Sequence, residues 1–214
     1  MKKIIYPNQL EYISSFEKKE NALIKKMEKF ALENKVPILS KESSRFLVQL
    51  IMVYKPKNVL EIGTAIAYSA IKISRNLPPS GKLYTIEKSK DNIKLANKFI
   101  SLAKQENKIK LLEGNALEIM PKLKVKFDFI FLDADKEDYK ELFELSLILL
   151  NKGGIIFVDN LLWHGFAAAK KIPKKYANST KHIREFNKIF MNTTSLNTSI
   201  LPIGDGIGLG IKVK

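Results

Sequence analysis

The chain has 214 residues, 45% of them hydrophobic and 28% charged, a composition that can bury a full globular core without staples. It contains no cysteine, which excludes disulfides, thiolate metal sites, iron–sulfur clusters and cysteine nucleophiles together. Lys+Arg is 37 against 22 Asp+Glu, and the resulting +15 favours an anionic partner such as nucleic acid, a membrane surface or a phosphorylated substrate.

At the N-terminus, MKKIIYPNQLEY offers only a two-residue apolar patch before Tyr6, Pro7 and Asn8, which is not the pattern of a signal peptide. No apolar run is long enough for a membrane span, so the expectation is a cytoplasmic enzyme or binding domain with no membrane partner. Residues 8–34 read as one helix, with Leu10, Ile13, Phe16, Leu23, Met27 and Phe30 near helical spacing and Pro37 beyond its end. Residues 41–54 read as a second helix, closed by Pro56. Together they form an N-terminal helical extension, 1–55, to a core at 56–214, within a single domain over 1–214.

From residue 58 the pattern changes. Short apolar runs at 58–62, 82–87, 109–114, 127–133 and 153–159 alternate with segments of helical period at 66–77, 91–105 and 138–150. Such alternation predicts a parallel sheet with helices on both faces, and the near-continuous apolar strands fit a sheet buried on both sides. The last stretch, ILPIGDGIGLGIKVK, predicts two strands around a Gly204-Asp205-Gly206 turn.

The chemistry-bearing residues follow the strands. Gly63 comes directly after the first, where a glycine lets the backbone approach a ligand near a helix N-terminus. The nicotinamide fingerprint G-x-G-x-x-G fails here, because Ala65 and Ile66 follow. Glu87 ends the second strand, 24 positions on, where a carboxylate accepts from ribose hydroxyls in nucleotide folds. Asp133 follows the fourth strand, with Asp135 and Lys136 close behind, and Asp159-Asn160 follows the fifth. Ligands of such sheets collect at the carboxyl ends of the strands. The hard oxygens of Asp133, Asp159 and Asn160 suit Mg2+ or Ca2+ rather than zinc.

These motifs carry a resemblance. VLEIGTAIAYSA, FIFLDADK, GGIIFVDN and LPIGDGIGLGIK are similar to the cation-dependent, class I S-adenosylmethionine O-methyltransferases of the caffeoyl-CoA and catechol type, over roughly residues 35–214. Among that family the short chain most resembles the bacterial tRNA 5-hydroxyuridine methyltransferases. The implied fold is a Rossmann-like α/β domain, a mostly parallel seven-stranded sheet with an antiparallel C-terminal hairpin. The implied cofactors are S-adenosylmethionine and Mg2+, with Mn2+ or Ca2+ as substitutes. Val36, Glu61, Gly63, Ser69, Glu87, Asn115, Ala116 and Asp133 are the implied cofactor-binding residues, with Asn115 standing where an aspartate contacts the adenine amino group. Asp133, Asp159 and Asn160 are the implied metal ligands. Lys136 matches the general base, with Asp133 its catalytic neighbour. A lysine beside a dication and a sulfonium is driven toward its neutral, proton-accepting form. Ala67 departs from the family, standing where glycine is usual.

The acceptor is read from the segment after Asn160. Trp163 and His164 either wall the acceptor pocket or pack on a second subunit of an implied homodimer. No acid occurs between Asp159 and Glu185, whereas Lys170, Lys171, Lys174, Lys175, Lys181 and Arg184 do. Lys170, Lys171, Lys174 and Lys175 are therefore expected to hold tRNA phosphates while a flipped base enters beside Trp163. A second basic group from Lys88 to Lys110 is expected to be a solvated helix face. Two other readings stay open, a small catechol-like acceptor and an RNA-binding protein without turnover.

Overall fold

The computed structural model describes residues 7–16 and 20–214. The strands are β1 (Asn58–Ile62), β2 (Lys82–Glu87), β3 (Ile109–Glu113), β4 (Phe127–Leu132), β5 (Leu150–Val158), β6 (Leu196–Leu201) and β7 (Ile207–Lys212). They form one sheet in the order β3-β2-β1-β4-β5-β7-β6. β1 to β5 pair in parallel, and β7 lies antiparallel to both β5 and β6. This is the Rossmann-like methyltransferase sheet expected from the sequence, C-terminal hairpin included. The strand order reverses between β1 and β4, and a crevice opens at such a reversal.

The helices are α1 (Pro7–Ser15), α2 (Ala22–Asn34), α3 (Lys41–Tyr54), α4 (Tyr68–Asn76), α5 (Lys90–Leu102), α6 (Ala116–Ile119), α7 (Tyr139–Leu149) and α8 (Ala177–Asn192). Alternate strand residues feed two cores. Val59, Phe129, Phe131 and Phe157 pack with Met27, Leu47, Ile71 and Phe99 of α2 to α5. Their neighbours Leu60, Ile130, Leu132 and Val158 pack with Phe143 of α7 and Phe186 and Phe190 of α8. Burial on both faces is what removes the polar alternation from these strands.

Two parts differ from the sequence reading. The single helix expected over 8–34 is two helices, with 17–19 and the side chain of Leu10 outside the described residues. Asn21 is the cause at α2: its backbone is extended and its side-chain oxygen accepts from Ile24 N at 3.1 Å, which starts a new helix. The helix α8 had no counterpart in the reading, although Thr180, Ile183, Phe186 and Phe190 bury one face at helical spacing. Among the described residues no helix is long and apolar enough to cross a membrane.

The Gly204–Gly206 turn between β6 and β7 is wedged between two segments. A Cβ on Gly204 would overlap the Ser43 and Ser40 hydroxyls at the start of α3, and one on Gly206 would overlap Leu162. Both glycines have positive φ. The turn thus ties the N-terminal helices to the loop after β5.

Candidate active site

A cavity of about 920 Å³ opens over the carboxyl ends of β1 to β5. Its floor is the reversal point. Gly63 has φ +103°, and a Cβ there would run into the Asp133 carbonyl, so the loops after β1 and β4 touch backbone to backbone. The ladder also runs past the strand ends, with Gly63 N donating to Ile86 O, Asp133 N to Ile62 O and Asp159 N to Leu132 O. Ala65 and Ala67 follow in left-handed conformations, φ 47° and 67°. That backbone explains why glycine is usual at the Ala67 position.

On the β1–β3 side the polar groups are held by the chain itself. Glu87 Oε2 accepts from Ala65 N and Oε1 from Ser89 N, both at 2.8 Å, and the carboxylate lies in the cavity wall. Each oxygen keeps a lone pair for a ribose hydroxyl. Asn115 Oδ1 caps α6 by accepting from Leu117 N at 3.0 Å, with Gly114 and Ala116 beside it in the wall. Glu61 and Ser69 do not line the cavity and sit behind it. Glu61 is 0% exposed, and its Oε2 accepts from Thr85 Oγ1 at 2.5 Å while Oε1 has no partner. Burial pushes its carboxyl up to about 7; the Ser69 and Thr85 hydroxyls oppose that rise, and the charges of Asp133 and Glu87 add to it. Val36 lines a neighbouring apolar hollow of about 560 Å³, which shares Pro37 and Ile38 with the main cavity.

On the β4–β5 side the expected ligands and base come together. Lys136, 9% exposed at its side chain, points Nζ at Asn160 Oδ1 (2.7 Å), Tyr139 Oη (2.6 Å), Ala134 O (3.1 Å) and Asp133 Oδ1 (3.2 Å). Its ammonium also lies 5.5 Å from the Trp163 ring centroid. Tyr139 donates to Asp159 O, and burial together with the charges of Asp133 and Asp159 holds its phenol well above the ordinary value, so it stays neutral. Asp159 is 4% exposed and its Oδ1 is buried without a partner. Burial first and the Asp133 charge second push its carboxyl up to about 7, opposed by the Asn160 backbone and Lys136.

A partly buried cluster of this kind asks for positive charge. Among the described residues no three His, Cys, Asp or Glu side chains converge as a ligand set. The donors here are two carboxylates and one amide, all hard oxygens, and those of Asp133 and Asn160 already contact the Lys136 ammonium. That donor set and the orphaned Asp159 oxygen fit a small divalent cation.

The loop after β5 forms the mouth. Asn160, Trp163, His164 and Gly165 all have positive φ. Trp163 Nε1 donates to Ser179 Oγ at 3.0 Å, and the Trp163, His164, Phe166 and Tyr176 rings pack with centroids 4.9 to 6.3 Å apart. Lys170, Lys171, Lys174 and Lys175 are exposed outside the cavity, and Lys175 Nζ sits 4.6 Å over the Tyr176 ring. Arg184 is different: Nε donates to Ala167 O and Nη2 to Phe166 O and Ala169 O, so it holds the loop. Lys88, expected on a solvated face, is 57% exposed at its side chain and pairs there with Asp135 Oδ2 at 2.6 Å. Asp205, overlooked as a turn residue, reaches the loop from the β6–β7 turn.

The model of the O-methyltransferase family matches residues 13–213. A caffeoyl-CoA O-methyltransferase of Populus kitakamiensis is 33% identical over 176 residues, 78% of this chain and 75% of that protein. The crystal structure of TomG of Streptomyces achromogenes, an O-methyltransferase involved in tomaymycin synthesis and solved with S-adenosylmethionine, aligns with TM-score 0.84 at 27% identity. It covers 95% of each chain. An O-methyltransferase of Bacillus cereus in complex with S-adenosylhomocysteine shares the fold, with TM-score 0.84 at 24% identity over 94% of this chain and 96% of that one.

Proposed function

Because this chain belongs to the O-methyltransferase family, we propose that it moves a methyl group from S-adenosylmethionine to a hydroxyl oxygen with the help of a divalent cation. The acceptor in this reading is 5-hydroxyuridine at the tRNA wobble position, and the product is 5-methoxyuridine. One observation carries the cation and the base: Asp133 and Asn160 oxygens contact Lys136 Nζ, beside a buried Asp159 with one unpartnered oxygen, on the wall of a cavity that also displays Glu87.

Bound there, a cation held by Asp133, Asp159 and Asn160 would acidify and orient the hydroxyl, and S-adenosylmethionine would supply the methyl group. The chain's own residues do the rest. Glu87 accepts from the ribose hydroxyls, Asn115 and Ala116 border the adenine, and Gly63 leaves the backbone room at the reversal point. Glu61 and Ser69 back that wall, and Val36 shapes its edge. With the cation in place Lys136 would act as the neutral amine, its own proton given up to solvent, and its Nζ takes the hydroxyl proton as the oxygen–carbon bond forms and the carbon–sulfur bond breaks. Tyr139 aims that amine through its hydroxyl. Trp163 covers the acceptor ring. Closing the mouth around aligned reactants supplies much of the acceleration.

The charge supports the tRNA acceptor. The exposed Lys170, Lys171, Lys174 and Lys175 follow an acid-free stretch beside the aromatic mouth, where phosphates would flank an entering base. 5-Hydroxyuridine sets a hydroxyl beside a carbonyl oxygen, a vicinal pair that can chelate. A second reading, a small catechol-like acceptor, is favoured by the plant relative named for caffeoyl-CoA. The same reading takes a cytoplasmic homodimer, with the exposed Tyr12 and Ile13 of α1 and Phe16 just after it against the second copy.

Nucleoside mass spectrometry of tRNA from a deletion strain tests the acceptor. Loss of 5-methoxyuridine with accumulation of 5-hydroxyuridine is expected, and an unchanged 5-methoxyuridine level hands the lead to the catechol reading. For the cation, excess chelator should stop turnover and Mg2+ or Mn2+ should restore it. Full activity in chelator removes the cation from the mechanism.

A further inference from the structure

The Asn160 side chain has a problem that its sequence position does not solve. An amide is nearly symmetric in shape, and only its hydrogen bonds decide which end points where. A cation, or the Lys136 ammonium, needs the oxygen end. The nitrogen end therefore needs an acceptor on the opposite side.

That acceptor comes from 45 residues away. Asp205 Oδ2 accepts from Asn160 Nδ2 at 3.4 Å and lies 3.8 Å from His164 Nδ1, while Oδ1 accepts from the His164 backbone N at 2.5 Å. The same turn also holds the backbone on either side. Leu161 N donates to Gly206 O and Leu162 N to Asp205 O, both at 2.9 Å. The held segment needs holding, since Asn160, Trp163 and His164 sit at φ 64°, 47° and 54°. Such left-handed conformations are unfavourable for L residues.

We propose that Asp205 is a positioning residue of the reaction: it fixes the Asn160 amide with its oxygen toward Lys136 and the cation position. The inference rests on the cation reading of Asp133, Asp159 and Asn160. Asp205 does not line the cavity, and its effect on the cation position runs through Asn160.

The test is a donor–acceptor exchange. Asp205→Asn keeps the size and one oxygen for His164 N, but turns a second donor toward Asn160 Nδ2. The Asn160 amide then rotates and presents nitrogen to the cation. Adding Asn160→Asp restores a matched pair, because the new carboxylate accepts from the new amide and still offers an oxygen. Mn2+ is titrated into the metal-free wild type, Asp205→Asn and the double variant by calorimetry, with thermal melting as the check of folding. Asp205→Asn should weaken Mn2+ at least tenfold, and the double variant should return to within about threefold of wild type. A purely structural Asp205 would leave the double variant as weak as the single.

Unchanged Mn2+ affinity in Asp205→Asn, or no recovery in the double variant, overturns the proposal while the cation reading stands. A wild type that binds no Mn2+ overturns the cation reading and this inference with it. The wild type gives a second readout that needs no Asp205 variant. The Asn160 side-chain amide signals in NMR, identified by their loss in Asn160→Asp, should exchange with solvent more slowly than those of exposed asparagines. Free exchange refutes the hydrogen bond on which the proposal stands.

Discussion

The two halves of the cavity are built on opposite principles. At the ends of β1 to β3, the wall residues Glu87 and Asn115 are tied to backbone N–H groups of Ala65, Ser89 and Leu117. That wall is preorganised before any ligand arrives. At the ends of β4 and β5, carboxylates crowd together, one Asp159 oxygen is unpartnered and a lysine ammonium stands among them. The first half resembles a mould and the second an incomplete charge balance. Burying like charges is costly unless they are paired, so the second half is where chemistry rather than fold stability has set the residues. Glu61 lies on the seam: it belongs to β1, yet the Asp133 charge contributes to its raised pKa.

The sharpest way to break this contrast is Lys136→Met. If the β4–β5 half runs the chemistry, methyl transfer in single turnover should fall by about 10²- to 10⁴-fold, the usual span for a general base. S-adenosylmethionine affinity, set by the other half, should stay within about threefold. Parallel losses of both would erase the division.

Next in size is the mouth. Replacing Lys170, Lys171, Lys174 and Lys175 together with glutamine should weaken tRNA binding and flatten its log–log salt dependence by about 0.7–0.9 per lost phosphate contact. Methylation of a small catechol should hardly change. An unaltered salt slope assigns these lysines to solvent.

Glu87→Ala probes the mould. Losing charge-assisted bonds of about 1.5–3 kcal/mol each should weaken S-adenosylmethionine at least tenfold in calorimetry. Mn2+ binding should be untouched, so a fall in both affinities would mean the halves are mechanically one.

The smallest effect is a pH dependence from Glu61. Its folded-state pKa, about 7, lies above the ordinary 4.5. A raised carboxyl contributes its stability below the unfolded value and loses it as pH rises through the folded one. Melting of the wild type relative to Glu61→Gln should therefore worsen between about pH 4.5 and 7 and level off above. A constant difference across that range would show that Glu61 titrates normally.

The sequence showed the sheet because burial on both faces leaves apolar runs such as FDFIFL that few other environments produce. It showed where Asp133, Asp159 and Asn160 would gather because the fold places them directly after strands. It missed what depends on distant partners. The break before α2 hangs on the Asn21 cap, a local signal masked by apolar spacing that continues across it. Lys88 pairs with Asp135 and Asp205 with Asn160 only because the sheet brings separate carboxyl ends and a hairpin turn to one place. Val36 and Ser69, carried over from resemblance, lie beside and behind the main cavity rather than in its wall.

Arg184 has a consequence for anyone wishing to change the acceptor. The carbonyls of Phe166, Ala167 and Ala169 all converge on this one guanidinium of α8. Beyond its own ring packing and the Asp205–Gly206 turn, the mouth therefore takes part of its shape from a helix that follows it in the chain. A segment grafted from a relative would arrive without instructions unless the helix travelled with it. Pocket redesign here means exchanging residues 160–192 as one cassette, with the arginine as its latch and the Asp205–Gly206 contacts kept.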